Sequence, residues 1–169
     1  MSSGISVDAN VMNLFSESLI RGEITDTRTL VEKIKLSHGF AIDVGGKVQH
    51  QWLETCDKTY FSEWFFQGLK AGWIRPVSAR IEKADEKQLK IGCGMPSARH
   101  ELAYIAVANV VPPPRYVVTD DIDFWEPKAK DADEKRKHEI KVKRKGCVCQ
   151  HLRKMKIVVG TVTQALAEL

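Results

Sequence analysis

The sequence predicts an α/β fold, specifically a three-layer sandwich with a mainly parallel central sheet. Short apolar, β-branched runs recur along the chain, and segments with helical spacing of apolar residues separate them. Glycine or proline marks most of the boundaries between these segments. Strands that alternate with helices pair in parallel, because each helix returns the chain to the same end of the sheet. The 169 residues, of which 43% are hydrophobic, suffice for a single domain with its own core.

The elements follow from apolar periodicity and from their end signals. The predicted strands lie at 5–8, 40–44, within 72–81, at 115–120 and before Gly160. The predicted helices lie at 10–22, 25–39, 48–69 and 97–111, with a short last helix capped by Thr161 or Thr163. Ser97 is the expected N-cap of the fourth helix. The aromatic residues of the third helix are expected in the core, with Trp64 or Trp73 as alternative platforms for stacking a nucleic-acid base: Trp52, Tyr60, Phe61, Trp64, Phe65.

Positive charge is concentrated near the C-terminus. The net charge is +4, but residues 127–156 hold twelve Lys and Arg against four Asp and Glu. The rest of the chain is therefore mildly acidic, which points to a polyanionic partner, nucleic acid first. We expect a solvated insertion or an extended hairpin at about 126–150, and its basic side chains are expected to hold a phosphate backbone. These residues are Lys135, Arg136, Lys137, Lys141, Lys143, Arg144 and Lys145.

The chain has neither an apolar run of membrane-spanning length nor a signal-peptide pattern at its start. We therefore expect a cytoplasmic protein without membrane contact, in which all four cysteines are reduced thiols. The segment "CVCQH" raises a zinc alternative for Cys147, Cys149 and His151. Their Cys-x-Cys spacing fits alternating strand residues better than a structural zinc site.

Several carboxylates stand where predicted strands end. Asp8 ends the first strand, and Asp120, Asp121 and Asp123 follow the strand "RYVVT". Binding sites of parallel sheets form outside the carboxyl ends of the strands, so these groups are expected to converge. Buried carboxylates that converge repel one another unless a hard cation such as Mg²⁺ or Mn²⁺ joins them. Glu101, in the first turn of its predicted helix, is a further candidate ligand. Asp8 as a helix cap and Asp120 as a simple turn residue remain alternatives.

The motifs "ISVDANV", "HELAYIAVA", "VVTDDIDF" and "VVGTVTQALAEL" occur in this order. Together they resemble the PIN-domain family of metal-dependent ribonucleases over most of the chain. The resemblance implies that four carboxylates bind Mg²⁺ or Mn²⁺ and carry catalysis, namely Asp8, Glu101, Asp121 and Asp123. It also implies orienting roles for Asn10 and Thr119.

One position departs from the family pattern. A PIN-like branch carries an acidic residue where this chain has Gln51, followed by tyrosine where it has Trp52. Glu54, three residues later on the same helical face, is the candidate to replace the missing charge. If it does not, the metal site is weakened.

Three function classes follow from these observations. The first is a Mg²⁺- or Mn²⁺-dependent endoribonuclease, which in a toxin role would be restrained by an inhibitory antitoxin-like protein. The second is a catalytically weakened, PIN-like RNA-binding or scaffold protein. The third, a phosphatase with Asp8 as nucleophile, is disfavoured because Asn10 stands where a second Asp is required. A homodimer through the apolar face around Leu14 and Phe15 is an alternative to burial of that face in the core.

Overall fold

Five short strands, all parallel, form the sheet of this computed structural model, which describes residues 3–96 and 100–169. They are β1 Ser6–Val7, β2 Phe40–Asp43, β3 Ile74–Val77, β4 Tyr116–Val118 and β5 Val158–Gly160. Ladders join β1 to β4, β4 to β5 and β2 to β3, and a single bridge between Ile5 and Phe40 connects the two groups. The strand order is therefore β3-β2-β1-β4-β5. The prediction of an α/β fold with a mainly parallel sheet is confirmed.

Nine α-helices accompany the sheet in the described part of the chain. They are α1 Ala9–Arg21, α2 Asp26–Ser37, α3 Lys47–Thr55, α4 Tyr60–Ala71, α5 Lys83–Lys87, α6 Glu101–Ala108, α7 Glu134–Val142, α8 Cys147–Lys154 and α9 Val162–Glu168. The single helix predicted at 48–69 is thus two helices. Helix α5, which continues into a π-helical turn at Gln88–Gly92, was not predicted. Helix α6 packs against β1, β2 and β4, which makes it central to the site described below.

The helix ends agree with the predicted stop and start signals. Gly22 ends α1 with φ 64°, a left-handed conformation that glycine adopts without steric cost. Thr161 caps α9 by accepting a hydrogen bond from the backbone N–H of Gln164, and the Gln164 side chain accepts one from the N–H of Thr161 in return. The predicted cap at Ser97 lies outside the described residues, and His100 directly precedes α6.

The basic segment is helical, so the predicted extended hairpin is wrong. Helix α7 begins at the Asp133 cap, whose side chain accepts a hydrogen bond from the N–H of Arg136. Ile140 is the one buried residue of α7, and for this reason the sequence showed no apolar period. Helix α8 buries Val148, Cys149 and Leu152 on one face. Cys147 and Cys149 therefore lie in a helix, and the prediction that their spacing reflects alternating strand residues is wrong.

The cysteines differ from the expectation of four reduced thiols. Cys93 and Cys147 form a disulfide, whereas Cys56 and Cys149 are free and buried. The zinc alternative also fails, because the three candidate ligands contact different groups. Cys147 is bonded to Cys93, the Cys149 thiol donates to the carbonyl of Arg144, and His151 pairs with Asp85.

The aromatic core is largely as predicted. Trp52, Phe61 and Phe65 are fully buried and Trp64 nearly so, which excludes Trp64 as a stacking platform. Trp73 is half-buried, packs against Trp64 and lies under the ammonium of Lys35. The prediction that Tyr60 lies in the core is wrong, because Tyr60 begins α4 and is 55% exposed.

The apolar face of α1 is divided between core and surface. Phe15 is fully buried and packs edge-on against Trp64, whereas Leu14 is 46% exposed. None of the helices in the described ranges is both long enough and apolar enough to cross a bilayer.

Candidate metal centre

The ends of the neighbouring strands β1 and β4 bring Asp8 and Thr119 together. Val7 lies opposite Val118 in the parallel ladder, so the next residue of each strand leaves the sheet at the same point. The Thr119 hydroxyl donates a hydrogen bond of 2.8 Å to Oδ2 of Asp8. Both residues are buried. In the order β3-β2-β1-β4-β5 the connections diverge between β1 and β4, and such switch points form crevices in parallel sheets.

A short, rigid turn positions the carboxylates that follow β4. The backbone N–H of Asp121 donates to the Thr119 hydroxyl at 3.0 Å, so this hydroxyl links Asp121 to Asp8. Oδ1 of Asp121 accepts the N–H of Asp123 at 3.0 Å and begins a 3₁₀ turn at Ile122–Phe124. Phe124 and Trp125 are fully buried. The two aromatics thus anchor the turn, which explains why they follow the acidic cluster in the sequence.

Three carboxylates meet closely enough to share one cation. One oxygen each of Glu101, Asp121 and Asp123 can be chosen so that all three lie within 4.8 Å of one another. Oε2 of Glu101 is buried and has no hydrogen-bond partner among the described residues. Glu101 and Asp121 border a cavity of about 170 Å³, which we call the acidic cavity; Asp123 belongs to the carboxylate cluster but is not among the lining residues. It is lined by Asp8, Asn10, Gln51, His100, Glu101, Tyr104 and Asp121.

Burial and mutual repulsion perturb the acidic groups. Burial is the main cause that raises the pKa of Asp8 from 3.8 to about 6; the charge of Asp121 adds to this, and the hydrogen bond from Thr119 opposes it. Burial likewise raises the pKa of Glu101 from 4.5 to about 7, with further contributions from Asp121, Asp123 and Asp8. A divalent cation in the cavity would offset this cost and favour the ionised forms of Asp8 and Glu101.

Gln51 and Tyr104 form the opposite wall of the acidic cavity. The Tyr104 hydroxyl donates to Oε1 of Gln51 and accepts the backbone N–H of Ala9 at 3.2 Å. Burial raises the pKa of Tyr104 above its ordinary value. Sequence reasoning missed Tyr104 and His100 as cavity residues. The available signal was spacing, because Tyr104 lies three residues after Glu101 and shares its helix face.

The structure does not bring Glu54 to the acidic cavity. Its carboxylate lies 3.0 Å from Nε2 of His50, and both side chains are more than 70% exposed. Glu54 instead lines a separate surface cavity with Leu53 and Lys58. The missing charge at Gln51 is therefore not replaced by this residue.

Helix α7 lies beside the turn after β4 that carries Asp121 and Asp123, which we call the acidic turn. The ammonium of Lys141 donates to the backbone carbonyl of Asp120 and sits 5.6 Å from the centre of the Trp125 ring. The exposed side chain of Asp120 itself lies outside the acidic cavity. The basic helix is thus attached directly to the loop that carries Asp121 and Asp123.

The seven residues predicted to contact phosphate differ in their exposure and in their ion pairs. Four are exposed, namely Lys135, Arg136, Lys143 and Lys145, although Lys143 pairs with Glu139 at 2.8 Å. Lys137 is half-buried and lies 3.7 Å from Glu134. Arg144 differs, because its guanidinium binds both carboxylate oxygens of Glu168 and also the carbonyl of Val159. Its donors are occupied within the fold, so we remove it from the proposed RNA contacts.

Comparison of the chain with protein-family models, with characterised protein sequences and with solved structures returned no match.

Proposed function

We propose that the protein is a Mg²⁺- or Mn²⁺-dependent endoribonuclease with a PIN-like three-layer sandwich fold. One observation carries this proposal: the carboxylates of Glu101, Asp121 and Asp123 meet within 4.8 Å beside the switch point of a parallel sheet. Asp8 lines the same cavity, as the resemblance to PIN domains implies.

The donor set of the acidic cavity fits a hard divalent cation. All four candidate ligands are carboxylates, and the free buried oxygen of Glu101 lacks any other partner in the described ranges. Oxygen-only ligands suit Mg²⁺ and Mn²⁺ rather than zinc. When bound, such a cation neutralises charge on a phosphodiester and makes water more acidic. Glu101, Asp121, Asp123 and Asp8 are the residues that would hold it.

The remaining residues orient the ligands and bind the substrate. Thr119 fixes Asp8 and the backbone of Asp121 through one hydroxyl, so that the two carboxylates keep their separation. Asn10, exposed at the mouth of the acidic cavity, offers an amide to the substrate or to ordered water. Helix α7 supplies positive charge next to the acidic turn, suited to an RNA backbone.

A matched pair of variants tests the nuclease. We expect Mn²⁺-dependent cleavage of single-stranded RNA by the native chain, and a loss of about 100-fold or more in Asp121→Asn, which removes a metal ligand. Asp120→Asn is the control, because it removes the same charge from the adjacent exposed residue. Equal inactivity of the native chain and Asp121→Asn on RNA and DNA would remove the enzyme proposal.

Gln51 favours a second candidate, a PIN-like RNA-binding or scaffold protein with a weakened site. An amide stands at the acidic position of the family pattern, and Glu54 is paired with His50 outside the acidic cavity. Calorimetric titration separates the two candidates. The nuclease requires Mn²⁺ binding that Asp121→Asn weakens, whereas no binding at millimolar Mn²⁺ supports the scaffold.

The toxin role, an inhibitory partner that covers the acidic cavity, a homodimer and a cytoplasmic location remain predictions from the resemblance and the sequence. The partner would have to present positive charge to the acidic cavity, because its carboxylates are its dominant feature.

A further inference from the structure

A second cavity, of about 480 Å³, opens beyond the carboxyl ends of β2 and β3. We call it the side cavity. Part of its wall is formed by Asp43, the last residue of β2, with Val44 and Gly45 after it, and by Ala79 to Ile81, which follow β3. Because β2 lies beside β1, the side cavity and the acidic cavity occupy the same edge of the sheet.

Helix α6 separates the two cavities and contributes to both. Glu101 and Tyr104 border the acidic cavity, whereas Leu102, Ala103 and Ala106 line the side cavity. A polymer that crosses this edge of the sheet would therefore meet the acidic cavity and the side cavity in succession.

The side cavity combines an apolar wall with an excess of positive charge. Ile81, Leu102 and the two alanines of α6 provide the apolar wall. Lys47 and Arg80 are exposed at the cavity, and within residues 3–96 and 100–169 neither forms an ion pair.

Local contacts already engage the two acids of the side cavity. The Asp43 carboxylate accepts the N–H groups of Lys47 and Val48 at 3.1 and 2.8 Å, and Glu86 pairs with Lys90 at 2.8 Å. The lining holds three cations, Lys47, Arg80 and Lys90, against these two carboxylates, and this excess of one positive charge favours an anion with an apolar part.

We propose that the side cavity binds one nucleotide of a single-stranded RNA, with the base against the apolar wall and a phosphate beside Lys47 and Arg80. This inference rests on the proposed function, because the same strand would present a phosphodiester to the acidic cavity. The volume lies within the range of roughly 300–1,000 Å³ that is typical of ligand pockets. A base can enter only from an unpaired strand, because in a duplex it is stacked and paired.

The chemistry of the wall also sets the expected selectivity. Among the residues that line the side cavity none is aromatic, so the base gains apolar contact without stacking on a ring. Arg80 and Lys47 contact phosphate, which carries no sequence information. We expect a preference for single-stranded over double-stranded RNA and little preference among bases.

Binding in EDTA tests the subsite independently of cleavage. Fluorescence anisotropy compares a labelled single-stranded oligoribonucleotide with its duplex, for the native chain and for the variants Lys47→Ala, Arg80→Ala and Ala106→Phe. Each charge removal should weaken binding and reduce the slope of log K against log salt by about 0.7, the value for one phosphate contact on a single strand. Filling the side cavity with Phe at position 106 should exclude the base from the apolar wall and weaken binding about fivefold, the effect of losing about 1 kcal/mol of apolar contact.

Lys87→Ala is the matched control, since it removes an exposed lysine of α5 that does not line the side cavity. Affinity for single-stranded RNA in Lys47→Ala and Arg80→Ala equal to that of this control would overturn the inference, even with an active nuclease. Weaker binding by these variants would support it, even if no cleavage were detected. Adenosine monophosphate that binds without competing with RNA would also overturn it. If Ala106→Phe does not fold, the RNA affinities of Lys47→Ala and Arg80→Ala decide whether the inference stands.

Discussion

Replacing Asp8 by Asn is expected to stabilise the metal-free protein while it removes the response to Mn²⁺. Asp8 is 5% exposed, and its pKa rises from 3.8 to about 6 in the folded state, chiefly because of burial. At about 1.4 kcal/mol per pH unit, the ionised carboxylate costs the folded protein about 3 kcal/mol at neutral pH. Asparagine keeps an acceptor for the Thr119 hydroxyl but brings an amide that needs a partner. The expected gain is therefore about 1 to 3 kcal/mol.

The pH dependence of this gain follows from the direction of the pKa change. Because the folded pKa of Asp8 lies above the unfolded one, the carboxyl favours folding most below about pH 4, where it is protonated in both states. That contribution is lost as the pH rises through about 6. The stability difference between Asp8→Asn and the native chain should thus be largest at pH 8 and should shrink towards pH 4.

Urea denaturation in EDTA, at pH 4, 6 and 8, measures these differences, and a second series adds Mn²⁺. At about 100 times its Kd, the cation should stabilise the native chain by about 2.7 kcal/mol and Asp8→Asn far less. The exposed substitution Asp120→Asn should behave like the native chain in both series. An Asp8→Asn variant that is less stable than the native chain at pH 8 in EDTA would refute the reasoning, as would equal stabilisation of both by Mn²⁺.

Three further outcomes are expected. Gln51→Glu should raise the affinity for Mn²⁺ about tenfold in calorimetry, because it adds a carboxylate to the wall of the acidic cavity; an unchanged affinity would contradict this. Lys135→Glu combined with Arg136→Glu should weaken RNA binding and reduce its salt dependence, measured by anisotropy, because both side chains are exposed on the basic helix α7; a salt slope like that of the native chain would argue against α7 as a phosphate contact. Arg144→Ala should lower the free energy of unfolding in urea by about 1 kcal/mol, because it removes a partly exposed ion pair with Glu168 and the hydrogen bond to the carbonyl of Val159; weaker RNA binding at unchanged stability would instead return Arg144 to the nucleic-acid surface.

Elements with a strong apolar period were predictable, and those without one were not. Helices α1 and α2 bury regularly spaced residues, such as Val11 and Phe15 in α1, and end at glycine or begin at a threonine cap. Helix α7 offers a single buried side chain, Ile140. A helix held mainly by its cap and by charged neighbours leaves little trace in hydrophobic patterning. Composition alone therefore suggested a solvated insertion or an extended hairpin where the chain is helical.

The candidate site was predictable where it follows strand ends. Asp8 and Asp121 stand at positions that a parallel sheet brings together whatever the details of packing. The wall opposite them left a weaker signal: Tyr104 has the spacing from Glu101 that places both on one helix face, but in an apolar helix it looks like any core aromatic. The structure places Glu54 outside the acidic cavity, where its exposed side chain pairs with His50.

The energetics of the acidic cavity favour a ligand over a purely structural role. A chain that needed only a stable turn after β4 could use amides, which would accept the same hydrogen bonds from Thr119 and from the N–H of Asp123 without a buried charge. Instead, burial and mutual repulsion raise the pKa of both Asp8 and Glu101, so the fold is less stable at neutral pH than it would be with amides. Groups held at such a cost in a cavity are characteristic of functional sites. A divalent cation would reverse this cost. The nuclease requires such a cation and the weakened-site scaffold does not, so Gln51 is the residue on which the difference between the two candidates depends.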